Sequence, residues 1–209
     1  MFIQESSNTA AYSFGESKFE FPMHLKDYAK IYENFIDADL CKTVVEQLQT
    51  SDWKMHEFYD YSNNKNVHFD KELSICYLET PEAKKVQDQL WYSIDRYIRK
   101  DFGFMKDWYA TWSGYSRVRY NRYTVDTRME LHCDHIHSMF DGQRKGIPTL
   151  TILGSLNDDY EGGDLILWES EKIELKAGSV ILFPSNFMYP HKVVEVTKGV
   201  RYSFVSWVW

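Results

Sequence analysis

The sequence predicts an α+β chain: a double-stranded β-helix, or jelly roll, with a layer of N-terminal helices packed on one sheet. Three observations predict it. Two segments ahead of residue 100 carry apolar residues at helical spacing. After residue 115 about eight short apolar runs follow one another, the strand count of a jelly roll. Turn residues separate these runs, as in NDDYEGG and KAGS, and several connections are hairpin-short. A length of 209 residues suits one compact unit with a sizeable core. The expected organisation is therefore a single domain over 1–209, with a lead-in at 1–30, a helical support region at 31–115 and a jelly-roll core at 116–209.

The first 22 residues are polar and weakly patterned, so they read as an irregular lead-in. Asp37 can cap a helix in which Leu40, Val44, Val45 and Leu48 share a face. The polar cluster YSNNKN at 61–66 reads as an exposed loop. Thr80 and Pro81 form a cap and first-turn pair, after which Val86, Leu90, Ile94, Tyr97 and Ile98 line one side of a second helix. The strand runs that follow are SRVRYNRY, RMELHCDH, TLTILGSL, DLILWES, KIELK, SVILFPS, HKVVEV and RYSFVSWVW.

Composition narrows the function classes. Acidic residues outnumber basic ones 31 to 24 and the net charge is -7, which disfavours nucleic acid as a partner. Cys41, Cys76 and Cys133 are odd in number and lack CxxC spacing, so neither a disulfide framework nor a zinc ribbon is expected. They suit a reducing cytoplasm. No apolar run approaches membrane-spanning length and the first residues lack a secretory pattern, so a cytoplasmic protein with no membrane association is expected. Aromatic residues make up 17% of the chain, ample material for a core and for pocket walls.

The chemistry-bearing constellation is His132, Asp134 and His191, followed by Arg201 and Ser203. Side chains alternate along a strand, so His132 and Asp134 project from one face if RMELHCDH is extended, with Cys133 turned away to pack. In a jelly roll an early strand can lie beside a late one, which would bring His191 to them. Two imidazoles and one carboxylate leave coordination positions open, the donor set of non-haem Fe(II) oxygenases, although Mn, Co, Ni or Zn could take it. Arg201 and Ser203 share a strand face and offer a guanidinium fork plus a hydroxyl to a carboxylate. A rival set of His135, His137 and His191 would be cupin-like. The loop 135–148 reads as polar and near the site mouth. Arg117, Arg119 and Arg122 either face substrate or alternate along a partly exposed strand. Trp168, Trp207 and Trp209 read as packing on strands, and His24, His56 and His68 as surface residues.

With these residues in view, the chain from about residue 31 onward resembles the 2-oxoglutarate and Fe(II)-dependent oxygenase superfamily. The likeness is to its prolyl 4-hydroxylase-like group, including phage and bacterial members. The pattern Tyr-x-x-Gly-x-x-aromatic-x-x-His-x-Asp corresponds to Tyr123, Asp126, Met129, His132 and Asp134. YEGGDLIL, KAGSVILFPSNFMYPHKV and IYENFIDADLCKTVVEQL are similar to further family segments. The resemblance implies His132, Asp134 and His191 as metal ligands, Arg201 and Ser203 on the far carboxylate of 2-oxoglutarate, and Tyr123 near the metal. It implies Fe(II), 2-oxoglutarate and O2, with ascorbate as a further cofactor candidate. The implied reaction is hydroxylation of a C–H bond of a peptidyl proline or related amino acid, with release of succinate and CO2. Partners would then be a peptide or small-molecule substrate. Three departures stand out: Asp126 replaces Gly, Met129 replaces an aromatic residue, and Gly154 stands about where some members carry a tyrosine that touches the co-substrate. Alternatives are a non-catalytic metal-binding jelly roll and a cupin-type metalloprotein.

Overall fold

The structure, a computed structural model, describes residues 24–60, 62–103, 114–134 and 148–209. Most of the lead-in, and the loop 135–147 with His135 and His137, lie outside the described residues. Strand β1 (Lys30–Tyr32) precedes helix α1 (Ala38–Gln49). Strands β2 (Lys54–Met55), β3 (Phe58–Asp60), β4 (Lys65–Val67) and β5 (Ser74–Cys76) lead to helix α2 (Pro81–Asp95), which continues as a π-helical segment over Arg96–Asp101. Then come β6 (Arg119–Tyr123), β7 (Met129–His132), β8 (Leu150–Ser155), β9 (Glu161–Gly162) and β10 (Leu165–Leu167). The chain closes with β11 (Glu171–Ile173), β12 (Val180–Pro184), β13 (His191–Val193), β14 (Val196–Lys198) and β15 (Arg201–Val208).

Both helices start at the expected caps. The Asp37 side chain accepts from the N–H groups of Asp39 and Leu40, and Thr80 Oγ1 accepts from Ala83 N–H with Pro81 in the first turn. Each cap satisfies amide donors that the helix cannot pair itself. The buried faces are Cys41, Val44 and Leu48 of α1, and Ala83, Val86, Leu90 and Ile94 of α2. One apolar cluster joins these faces to Tyr120, Ile152, Leu182 and Phe204 of the larger sheet.

That sheet has seven strands in the order β1-β12-β8-β15-β6-β5-β2, and a four-stranded sheet runs β11-β10-β13-β7. The mostly antiparallel arrangement is jelly-roll-like. A second apolar cluster fills the space between the sheets, with Ile181 and Phe183 of β12 meeting Leu165, Leu167 and Val193 of the smaller sheet. The central strand β15 is buried at every position, and its residues alternate in role. Tyr202, Phe204 and Val208 belong to the helix-side cluster, while Arg201, Ser203, Val205 and Trp207 line the interior cavity.

The support region is less helical than expected, because β1, β2 and β5 extend the large sheet and β3 pairs with β4. Runs of two or three residues are too short to show an alternation, which is why they escape a reading by period. For the same reason YSNNKN is not one loop: Lys65 and Asn66 belong to β4, which pairs with β3. HKVVEV divides into β13 and β14, which pair with different sheets. Strand β7 ends at His132, so Asp134 stands two residues beyond it at a bend. Among the described residues, no helix is long and apolar enough to cross a membrane.

Gly154 requires a correction. It pairs with Phe204 and Val180 on the helix side of β8, whereas the neighbouring Leu153 lines the cavity. One residue along a strand reverses the face, so position 154 does not look toward a co-substrate site. Its lack of a side chain serves packing, since a methyl group there would meet the Phe204 ring at 2.0–2.6 Å. Gly154→Ala is expected to lower the unfolding free energy by about 1–3 kcal/mol through overpacking. Adding Phe204→Leu should recover part of that loss, as read from urea denaturation midpoints.

Candidate metal centre

His132 and His191 are brought together by strand pairing. Strands β7 and β13 run antiparallel with His191 directly opposite His132, and the ring centroids lie 4.3 Å apart. Asp134 folds back beneath them: its Oδ1 is 3.4 Å from His132 Nε2 and its Oδ2 is 3.7 Å from His191 Nε2. One donor atom from each of the three lies within 4.8 Å of the others. Among the described residues, this is the group of three whose donors could hold a metal ion.

The surrounding hydrogen bonds leave the inward atoms free. His132 Nδ1 lies 2.7 Å from the Glu130 carbonyl oxygen, and His191 Nδ1 lies 3.1 Å from that of Tyr189. A carbonyl can only accept, so each Nδ1 carries a proton, and Nε2, the nitrogen facing Asp134, is the one that would ligate a metal. Asp134 Oδ2 accepts from Thr151 Oγ1 at 2.8 Å and from Trp207 Nε1 at 3.0 Å. Oδ1, which takes neither of these bonds, faces His132 Nε2. Such outer partners orient ligands and set their basicity.

Electrostatics agree with a ligand set. Burial would raise the Asp134 carboxyl, but the His191 and His132 rings and the Trp207 N–H hold it well below the usual carboxylate range. Burial pushes His191 down to about 4, so its ring is neutral near pH 7. Burial also opposes charge on His132, where the Asp134 carboxylate outweighs it and raises the value. The site combines one ionised oxygen donor with imidazole nitrogen, a set suited to a divalent first-row metal.

The cavity beside this cluster ends at Arg201, which is 4% exposed. Arg201 Nη1 donates to Ser203 Oγ at 2.9 Å, and its guanidinium sits 4.9 Å from the Tyr123 ring centroid and 6.0 Å from that of Tyr160. Its Nε is buried with no hydrogen-bond partner, and among the described residues Arg201 makes no ion pair. An unpaired buried guanidinium is costly, and a carboxylate is the group that would relieve the cost.

Other sequence expectations fare differently. Trp207 packs, as a strand tryptophan should, but its indole N–H also holds Asp134. Its parity with Arg201 and Ser203 was the available signal. Thr151, which shares Asp134 Oδ2, carries none in the sequence alone. Trp168 sits just past β10, with its ring N–H on the Met188 carbonyl. The three arginines part company: Arg117 pairs with Glu79 at 3.1 Å, Arg122 lies over Trp53 and Arg119 lines the cavity. Asp126 adopts φ +67, the left-handed conformation that a glycine in that position of the pattern would supply.

His56 is not a surface residue. It is 6% exposed, packs edge-on against Phe58, and places Nδ1 3.8 Å from Glu72 Oε1. The two are not an ion pair near neutral pH, because burial pushes His56 down to about 3 and Glu72 up to about 7. In folded protein Glu72 keeps its proton above 4.5, its ordinary value, so its contribution to stability is full below about 4.5 and lost as pH rises through 7. His56 acts in the opposite sense, losing its contribution as pH falls from 6.5 toward 3.

Residues 118–209 match the family described as the 2OG-Fe(II) oxygenase superfamily. A PKHD-type hydroxylase of Parvibaculum lavamentivorans is 36% identical over 95 residues, which is 44% of this chain and 41% of that protein. The PKHD-type hydroxylase PiuC of Pseudomonas aeruginosa is 31% identical over 94 residues, 42% of this chain and 41% of its own. The chain thus spans about two fifths of the length of these curated relatives. Among solved structures, a prolyl hydroxylase of Trichoplax adhaerens, in complex with a hypoxia inducible factor oxygen degradation domain peptide, superposes with a TM-score of 0.65. It is 19% identical, with 88% of this chain and 84% of that one covered. A Pseudomonas putida prolyl-4-hydroxylase gives a TM-score of 0.59 at 17% identity, covering 87% and 91%. These two likenesses concern the fold. The family implies Fe(II) and 2-oxoglutarate.

Glu72→Gln removes the buried acid. It is expected to stabilise the metal-free protein by about 2–3 kcal/mol at pH 8 and to have little effect at pH 5. Paired urea denaturation curves at the two pH values check this.

Proposed function

We infer that this chain, whose residues 118–209 match the 2OG-Fe(II) oxygenase superfamily, is a 2-oxoglutarate-dependent Fe(II) dioxygenase that hydroxylates a C–H bond of a peptidyl proline or related amino acid. The observation that carries the reading is the convergence of two Nε2 atoms and one carboxylate oxygen beside a cavity that ends at an unpaired, buried arginine. In this reading His132, Asp134 and His191 hold Fe(II), which would supply the activation of O2 that drives hydroxylation and releases succinate and CO2.

The chain's own residues perform the rest. Arg201 and Ser203 bind the distal carboxylate of 2-oxoglutarate, with the guanidinium held between the Tyr123 and Tyr160 rings. Tyr123 keeps its hydroxyl protonated, because burial raises it against the opposing pull of Arg201, so it donates rather than carries charge. Thr151 and Trp207 fix the Asp134 carboxylate while both backbone carbonyls fix the histidine tautomers. Val193, Leu165 and Leu153 line the same cavity and exclude water from it. Ascorbate is proposed as a reductant from solution. By analogy with the peptide-bound Trichoplax prolyl hydroxylase, a peptide is the first substrate class to test.

Anaerobic addition of Fe(II) and 2-oxoglutarate is expected to give a weak visible charge-transfer band. His132→Ala, Asp134→Ala and His191→Ala should each lose the band and succinate formation. Arg201→Ala should retain iron and weaken 2-oxoglutarate binding by about 10- to 100-fold, the loss of charge-assisted hydrogen bonds. Thr151→Val should weaken metal binding by about 10- to 100-fold, measured by anaerobic titration calorimetry. A folded wild-type protein that gives no band would contradict the reading.

A further inference from the structure

The cavity has a second cationic end. On β6, Arg119, Asn121 and Tyr123 share the cavity face, and on β15 so do Arg201, Ser203, Val205 and Trp207. The register sets Arg201 against Tyr123 and Val205 against Arg119. Four residues of strand, about 13 Å, therefore separate the two arginine positions. The distal carboxylate of a single co-substrate can occupy one of them. Arg201 has the hydroxyl partner Ser203 and the flanking phenol rings, which leaves Arg119 for a different ligand.

Arg119 is built as a recognition group rather than a surface cation. Its guanidinium lies 5.1 Å from the Trp207 ring centroid, and its Nε donates to Asn121 Oδ1 at 3.2 Å. These two contacts fix the plane of the fork and leave both terminal nitrogens for a planar acceptor. Among the described residues it makes no ion pair, unlike Arg117 two positions earlier, which is neutralised by Glu79. The same Trp207 that carries Arg119 on its ring donates to Asp134. A group held by Arg119 is thus one indole away from the metal-facing carboxylate.

We propose that Arg119, supported by Asn121 and Trp207, is the substrate anchor of this site and takes a carboxylate of the substrate. The substrate class is then an amino acid or peptide with a free carboxylate close to the oxidised carbon, rather than an internal, uncharged prolyl segment. This inference rests on the dioxygenase reading and deepens it.

The test is calorimetry under nitrogen on protein loaded with Fe(II) and 2-oxoglutarate. The probes are N-acetyl-L-proline and N-acetyl-L-prolinamide, with the corresponding alanine, leucine and lysine pairs. At least one acid is expected to bind about 10- to 100-fold more tightly than its amide. Arg119→Gln should bring that ratio near unity, and Arg119→Lys should keep part of it. Both variants should keep the affinity for 2-oxoglutarate and the wild-type Tm, which a merely structural Arg119 would not allow. The proposal is overturned if no pair discriminates in the wild type, if discrimination survives Arg119→Gln, or if Arg119→Gln weakens 2-oxoglutarate as Arg201→Ala does. If the dioxygenase reading itself fails, the visible band is absent before any probe is added. An intact band without discrimination removes the anchor alone.

Discussion

The pairing of β13 with β7 is the constraint on which the rest of the site depends. It sets two imidazoles that are distant in sequence opposite each other, in direct register. A shift of one residue in that pairing would send one ring to the other face of the small sheet. The two strands are held together by apolar contacts as well, since Met129 and Val193, which pair beyond an irregularity in the ladder, are buried in the cluster between the sheets. Packing energy and site geometry therefore come from one set of contacts. Asp134 completes the group from just outside the strand, where it can turn inward and meet both rings.

Strand β15 applies the same economy across the large sheet. Its even-numbered residues Tyr202, Phe204 and Val208 anchor the helix-side cluster, and its odd-numbered residues furnish the cavity with a cation, a hydroxyl and an indole. Gly154 shows how tightly the two sides are matched: Phe204 occupies the space where a β8 side chain would stand. The buried polar groups follow the same logic. Those near the centre, Thr151, Trp207 and the backbone carbonyls, are spent on holding Asp134 and the two histidines. Among the described residues, Arg201 Nε and the facing atoms of His56 and Glu72 are, with Gln89 Oε1, Tyr120 OH and Arg122 Nε, positions where the fold leaves hydrogen-bonding capacity unused.

Much of this was legible in the letters wherever a period or a cap carries the information. The Asp37 and Thr80 caps and the apolar faces of both helices are local properties, so they could be read directly. Parity along β15 links Arg201 to Ser203 and, four residues beyond Ser203, to Trp207. What could not be read depends on partners. The two- and three-residue strands β1 to β5 exist through pairing rather than through propensity. The burial of His56 and the face of Gly154 are set by tertiary neighbours and by register. Thr151 gains its part in the site only because β8 lies beside β15, opposite Trp207.

The most direct test of the central claim is a nitrogen-15 histidine spectrum of the protein titrated with Zn(II), a diamagnetic stand-in for Fe(II). Two of the seven histidines, His132 and His191, should show metal coordination at Nε2 with Nδ1 still protonated, saturating at one ion per chain. Coordination through a different pair of rings, coordination through Nδ1, or no change in either ring would contradict the account.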